Sequence, residues 1–399
     1  MQVPARFEVQ NGRCRPRGCP RRACGLQAAG RRAGGSHAGQ AAPAPRRGHP
    51  WAGSAHAWSV PRINLCAYYS TRYIRPDGQK AEIWRSIWNK AALRCGRLKD
   101  MIFADAHCDY LSKAALGGTL EAPLPEQRIT AQSLEKSGLA LLNMAAFCGD
   151  GALDEMYNNV LRQIDCFEKL APGCGKARRL KNGTLIFLSL EGMDYITCPD
   201  DMPPILEKPI LSAGIMWNRA NSLGGGALED GPLTPAGVSV IKTMEEHGIL
   251  IDLAHACPRT FFDACQIVKS PFVSHANVKE VVSHPRNLSA EQIKLLIERK
   301  SFLGLTFYPP FAGDDLSSLM RHMDFVLELG GEDILGIGSD FDGCSSYVQP
   351  LNSPADYCRL YEAMLARGYK QSIIEKICCR NFIRYISPVL NGLNMQQEL

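Results

Sequence analysis

Five apolar runs in this chain each end on a histidine or a carboxylate, the residue types that a metal-dependent hydrolase needs. Ile102-Phe103-Ala104-Asp105-Ala106-His107-Cys108-Asp109 closes on a His-x-Asp pair, and side chains two apart on a strand point to the same side, so both could face one ion. The run over 184–190 stops at Glu191-Gly192, that over 248–254 at His255, and that over 271–274 at His275. The run over 334–339 delivers Asp340, followed by Phe341-Asp342-Gly343. Zinc favours imidazole nitrogen and carboxylate oxygen, and catalytic sites keep a coordination position open for water. Two ions roughly 3.5–4 Å apart on a shared carboxylate can bridge a hydroxide, and a bound ion lowers the pKa of water to about 7. A nucleophile would then exist at neutral pH without Ser or Cys, and an acid close to the metals but free of them would carry the proton to the leaving amine. Three histidines and three carboxylates in this order suit a two-zinc hydrolase.

Such residues need a scaffold that gathers strand ends. Three further runs, over 139–147, 213–218 and 301–308, bring the number of expected strands to eight. They are continuous rather than alternating, as in a parallel sheet buried on both faces. Helical periodicity separates them over 153–170, 235–247, 289–299 and 316–330, and residues 355–387 supply two closing helices. Strand and helix alternating eight times predict an α/β fold of the (β/α)8 TIM-barrel kind, in which catalytic side chains sit at the C-terminal ends of the strands. The polar run-ends fall there.

The 399 residues carry a formal net charge of +5, but residues 1–100 hold 19 Lys+Arg against 4 Asp+Glu, leaving 26 and 36 for the rest. The catalytic part is therefore acidic, which fits cation binding and argues against nucleic acid. Residues 1–58 are rich in Arg, Gly, Ala and Pro, with Glu8 the only acid, and could not repay chain ordering with burial. Residues 1–100 are expected to be a basic low-complexity extension, disordered or outside the true reading frame with Met101 the initiator. Modest helical character at 80–98 offers a peripheral helix instead. The catalytic domain is set at 101–388, with a tail at 389–399. The sixteen cysteines include no Cys-x-x-Cys pair, so reduced thiols are expected, and the neighbours Cys378 and Cys379 read as small apolar residues of a C-terminal helix. No apolar stretch approaches the roughly 20 residues of a membrane helix, and no lipid-anchor signal is present. A cytoplasmic protein with no membrane anchor is expected.

The ordered set Asp105-Ala106-His107-Cys108-Asp109, Glu191-Gly192, Ile251-Asp252-Leu253-Ala254-His255, Ser274-His275 with Arg286-Asn287, and Gly338-Ser339-Asp340-Phe341-Asp342-Gly343 resembles the membrane dipeptidase (renal dipeptidase) family of zinc peptidases over about residues 101–386, as a soluble, microbial-type member. The resemblance implies a zinc-dependent dipeptidase that cleaves the peptide bond of dipeptides through a metal-bridging hydroxide, some members also accepting a D-residue at the C-terminal position. It implies two Zn²⁺ per chain: His107 and Asp109 on one, His255 and His275 on the other, Glu191 bridging. Arg286 would hold the substrate carboxylate and Asp340 would be the acid/base. Where animal members place a substrate-facing His after the fourth strand, this chain reads Met216-Trp217-Asn218, so oxyanion stabilisation passes to zinc, Asn218 or the Trp217 ring N–H. The expected partner is the dipeptide, with a homodimer left open. A metal amidase or lactam hydrolase, or a non-catalytic peptide-binding barrel, are the alternative readings.

Other polar residues have plainer readings. His247 and His284 are expected to face solvent, His284 near enough to Arg286 to line the pocket, and His322 to lie on a helix surface. Asp105 would anchor the end of the first strand and Asp342 would bond backbone around the Asp340 turn. Gly224-Gly225-Gly226, with no Lys-Ser/Thr after it, is expected to be a flexible substrate-side loop.

Overall fold

A computed structural model describes residues 101–391 apart from Cys174. The reading of residues 1–100, including the helix at 80–98, and that of residues 392–399 lie outside the described residues.

Among the described residues eight strands are formed: β1 (Phe103–Cys108), β2 (Leu139–Phe147), β3 (Ala177–Arg179), β4 (Leu185–Glu191), β5 (Ile210–Gly214), β6 (Leu250–Asp252), β7 (Leu303–Leu305) and β8 (Leu335–Ile337). Seven run in the order β6-β5-β4-β2-β1-β8-β7, every neighbouring pair parallel. The gap between β6 and β7 is closed by the segment around Phe272 and Val273, through single parallel bridges Asp252↔Phe272 and Val273↔Leu303. That segment is the sixth expected strand, reduced to one bridge on each side, and with it the sheet is a (β/α)8 barrel. β3 is an addition that the apolar pattern did not signal. Its Ala-Arg-Arg sequence pairs antiparallel with the first half of β4, on the side that β5 takes over from Leu188.

The helices Leu153–Leu170, Pro235–Glu246, Ala290–Glu298 and Leu316–Glu328 stand where the 3.6-residue period places them. The fourth expected strand is displaced: β5 is Ile210–Gly214, and Met216, Trp217 and Asn218 follow it on the loop. The C-terminal pair of helices is more broken than expected. Tyr357–Ala366 is followed by Gln371–Glu375, a π-helical turn Lys376–Arg380 and the helix Asn381–Asn391. Cys378 and Cys379 are buried free thiols in that turn, and Asn381 Nδ2 donates to the carbonyls of Glu332 and Leu335 at 2.8 Å each, pinning the break to β8.

Apolar side chains fill two regions. One lies between strands and helices. The other is the barrel lumen, where Ala104, Leu141, Phe187, Leu211, Leu250, Phe272 and Phe302 meet Phe382, Tyr385 and Ile386 of the last helix. Phe302 stands 5.0 Å from Phe382 and Phe272 5.3 Å from Tyr385 between ring centroids. These lumen residues come from the starts of the strands, so the final helix seals the N-terminal end and leaves the opposite mouth for polar groups.

Two expectations are corrected by packing. His322 is not on a helix surface; it is fully buried, its Nδ1 accepting from Val278 N at 3.0 Å and its Nε2 lying 3.2 Å from the carbonyl of Ala312. The period of the helix places it on the inner face among Leu319, Met323 and Val326. Gly224–226 are buried rather than loose. A Cβ at Gly225 would strike the backbone of Gly231 and one at Gly226 the carbonyls of Trp217 and Arg219, so these glycines permit close backbone approach.

Candidate active site

The five ligand-type residues and Asp340 come together at the C-terminal mouth, all buried. His107 leaves β1 with its Nε2 3.3 Å from Asp109 Oδ2, 3.4 Å from Glu191 Oε2 and 3.9 Å from Asp340 Oδ1. Its ring stacks on that of His275 at 3.7 Å. Glu191, the last residue of β4, turns its other oxygen to the second pair: Oε1 is 2.8 Å from His255 Nε2 and 3.6 Å from His275 Nε2. Those two imidazole nitrogens are 3.0 Å apart. One carboxylate thus reaches all three imidazoles.

The backbone is bent to achieve this. Among the described residues five non-glycines have positive φ, and three of them are His255 (+67°), Asp340 (+65°) and Asp342 (+72°). Such conformations cost of order 1–3 kcal/mol each and persist where the surroundings over-determine them. The Asp340 turn is held by Asp340 N donating to His107 O at 3.1 Å. Beneath it Asp105 accepts from His107 N, Ser339 N, Ser339 Oγ and Tyr357 Oη. Asp105 therefore anchors β1, as expected, and ties it to β8. Asp342 also bonds backbone, but that of another segment: its carboxylate takes Arg128 N at 2.5 Å and Ile129 N at 3.1 Å.

Each imidazole of the second pair is oriented from behind. His255 Nδ1 lies 3.0 Å from Asn218 Oδ1, and His275 Nδ1 lies 2.8 Å from Ser274 Oγ. A neutral imidazole carries one ring proton, and the Asn218 amide oxygen at Nδ1 and the Glu191 carboxylate at Nε2 both accept, so the two ends of the His255 ring compete for it. Burial, with Arg286 nearby, lowers the pKa of His255 to about 3, and burial with His107 does the same for His275. Both are neutral at pH 7, the form that binds metal. Burial opposes charge on His107 too, but Glu191 and Asp109 outweigh it and raise its pKa well above the ordinary value. Burial raises Asp109 well above its ordinary range, with repulsion from Glu191 adding to it. Glu191 is held well below the usual carboxylate range by His107 and the imidazole hydrogen bonds, against the effect of burial.

This donor set fits cations. His107 Nε2 and Asp109 Oδ1 are buried atoms without a hydrogen-bond partner, a costly state unless something else satisfies them. The ligand atoms of His107, Glu191 and His275, and those of His107, Asp109 and Asp340, form two groups each spanning no more than 4.8 Å. Three carboxylates gathered around one imidazole this closely repel one another unless positive charge stands among them.

The remaining expected residues ring this cluster. Arg286 is 3% exposed; its Nη2 donates to His275 O at 3.1 Å, its Cζ lies over the Phe311 ring at 5.6 Å, and its Nε has no partner. Burial lowers its pKa, though Glu191 and Asp340 support its charge. Trp217 stands 5.0 Å from Phe147 and 6.3 Å from His255 between ring centroids. His284 is half-buried against Phe311 and accepts from Arg286 N, while His247 is exposed. Ser274, Thr306 and Cys344 were assigned no role from the sequence. Thr306 Oγ1 and Cys344 Sγ both reach Asp340 Oδ2, at 3.5 and 3.0 Å. Only the adjacency of Ser274 to His275 was a signal in the sequence.

Comparison with known proteins decides the family. The family description of membrane dipeptidase (peptidase family M19) matches residues 97–398. The chain belongs to the membrane dipeptidase family. Membership makes it a metallo-dipeptidase by class. Among curated relatives, dipeptidase tcpJ of Claviceps purpurea is 32% identical over 42% of this chain and 41% of its own length. An uncharacterized protein in the pqqA 5′ region of Klebsiella pneumoniae is 30% identical over 47% of this chain and 76% of its own. An uncharacterized dipeptidase of Schizosaccharomyces pombe is 24% identical over 58% of this chain and 62% of its own. Among solved structures, a metallo peptidase from Rhodobacter sphaeroides liganded with a phosphinate mimic of the dipeptide L-Ala-D-Ala superposes with a TM-score of 0.65 at 20% identity, over 72% of this chain and 99% of that one. The probable dipeptidase PvdM from Pseudomonas aeruginosa gives 0.66 at 14% identity, over 77% and 100%. These likenesses show the barrel. Among the described residues no helix is long and apolar enough to cross a membrane.

Proposed function

We propose that this chain hydrolyses dipeptides at a site for two Zn²⁺ ions, with His107 and Asp109 holding one, His255 and His275 the other, and Glu191 shared. The observation that carries this reading is the buried cluster in which one carboxylate reaches three imidazoles while His107 Nε2 and Asp109 Oδ1 have no partner of their own. Bound zinc would supply Lewis-acid activation of water and of the scissile carbonyl.

The chain's own residues do the rest. The planar guanidinium of Arg286, buried with Nε unengaged, matches the substrate's C-terminal carboxylate. Its fixed place beside His275 sets the distance between that carboxylate and the bond to be cut, a ruler for two residues. Trp217 and Phe147 form an aromatic wall on the His255 side. Asn218, whose oxygen meets His255 Nδ1, acts through that imidazole rather than on substrate. Asp340 is the acid/base: it takes a proton from the attacking water and gives it to the leaving nitrogen. Burial raises its pKa, the direction that suits a carboxylate serving as an acid. The ligand of the Rhodobacter sphaeroides peptidase makes a C-terminal D-residue part of the proposed substrate range.

The test is release of free amino acids from L-Ala-L-Ala and L-Ala-D-Ala by purified protein, lost on chelation and restored by Zn²⁺. Asp340→Asn should keep its zinc and lose about 10²–10⁴ in kcat. Activity that survives complete metal removal, or normal turnover by the Asn variant, overturns the reading.

A further inference from the structure

We propose that Cys344 is a positioning residue for Asp340: its thiol holds one carboxylate oxygen so that the other is aimed at the reacting atoms. The inference rests on the dipeptidase reading above. Cys344 Sγ donates to Asp340 Oδ2 at 3.0 Å, and Thr306 Oγ1 reaches the same oxygen at 3.5 Å. The other oxygen, Oδ1, faces the cluster 3.9 Å from His107 Nε2. An aspartate's terminal torsion is broad and roughly two-fold, so an untethered carboxylate would exchange its oxygens and swing away from the proton that it must collect. Donors on Oδ2 alone remove that freedom. Because a misplacement of about 1 Å can cost on the order of 10²-fold in rate, orientation is worth a dedicated contact.

The sulfur is held where this contact needs it. Tyr347 Oη donates to Cys344 O at 3.1 Å and accepts from Asp342 N at 2.8 Å. The Asp342 carboxylate is fixed by the backbone of Arg128 and Ile129. Between them stands Gly343, where a Cβ would strike the carboxylates of both Asp109 and Asp340; the chain must come this close, and the next residue is delivered onto Asp340. Burial, and then the neighbouring Asp340 charge, push the thiol far above its ordinary pKa. It therefore keeps its proton at neutral pH and serves as a donor, not as a nucleophile.

Cys344→Ala is expected to lower kcat for L-Ala-L-Ala by about tenfold, part of the general acid/base contribution. KM should stay within about twofold, with zinc content by mass spectrometry and the unfolding midpoint unchanged. Cys344→Ser, which keeps a hydroxyl donor, should recover most of the loss, and Cys344→Val, which fills the space without donating, should show the same roughly tenfold loss in kcat with its unfolding midpoint unchanged. An alanine or valine variant with wild-type kcat, a serine variant no better than alanine, or a loss explained by KM or by zinc content overturns the assignment. A wild-type protein that cleaves no dipeptide overturns the peptidase reading and this inference with it.

Discussion

His322 converts its burial into a dependence of stability on pH that can be worked out in advance. It sits at zero exposure between Val278 N and the carbonyl of Ala312, and burial lowers its pKa from 6.5 to about 4. The unfolded chain therefore binds this proton more readily than the folded one. A histidine depressed in this way contributes stability that is complete above pH 6.5 and drains away as pH falls toward 4. A shift of this size is worth about 3 kcal/mol, a large share of the stability of a single domain. His322→Gln keeps an acceptor and a donor but cannot titrate. The measurement is urea unfolding of both proteins, followed by far-ultraviolet circular dichroism at pH 7, 6, 5 and 4, with stability taken as the difference between the two so that shared titrations cancel. Wild type should be the more stable at pH 7, and its advantage should shrink by about 3 kcal/mol by pH 4. A difference that stays constant across that range would refute the reasoning, because it would mean that His322 is not held neutral by its surroundings.

Two further outcomes concern the proposed metal ligands and the arginine beside them. Glu191→Gln removes the charge that faces all three imidazoles, and zinc retention through dialysis should fall by at least about tenfold, since even outer-shell changes cost about 10–100-fold in affinity; full occupancy in the variant would count against a shared carboxylate. Arg286→Lys keeps a positive charge but loses the planar fork. Its kcat/KM for dipeptides should drop by about 10–100-fold, chiefly through KM, while cleavage of dipeptide amides, which lack the carboxylate, should hardly change, and equal losses on both substrates would remove Arg286 from carboxylate recognition.

The sequence by itself determined the barrel and the roster of its mouth, because both are written in local patterns. Continuous apolar runs specify strands buried on both faces, and the polar residue that ends a run is placed at the strand's C-terminal end wherever the rest of the chain goes. His107, Asp109, Glu191, His255, His275 and Asp340 were legible for that reason, as was the inner period of the helix Leu153–Leu170. Tertiary structure alone decided which atoms meet. Asn218 behind His255, Ser274 behind His275 and Cys344 on Asp340 depend on side-chain directions set by the left-handed turns at His255 and Asp340 and by loops crossing from other strands. His322 and the buried glycines depart from expectation on the same ground: composition favours the surface for a histidine and looseness for three glycines, whereas contact with segments remote in the chain, Val278 for His322 and Thr260 for Gly224 and Gly225, puts them inside. A strand announces its end within a few residues, but the partner waiting there is chosen by the closing of the whole sheet.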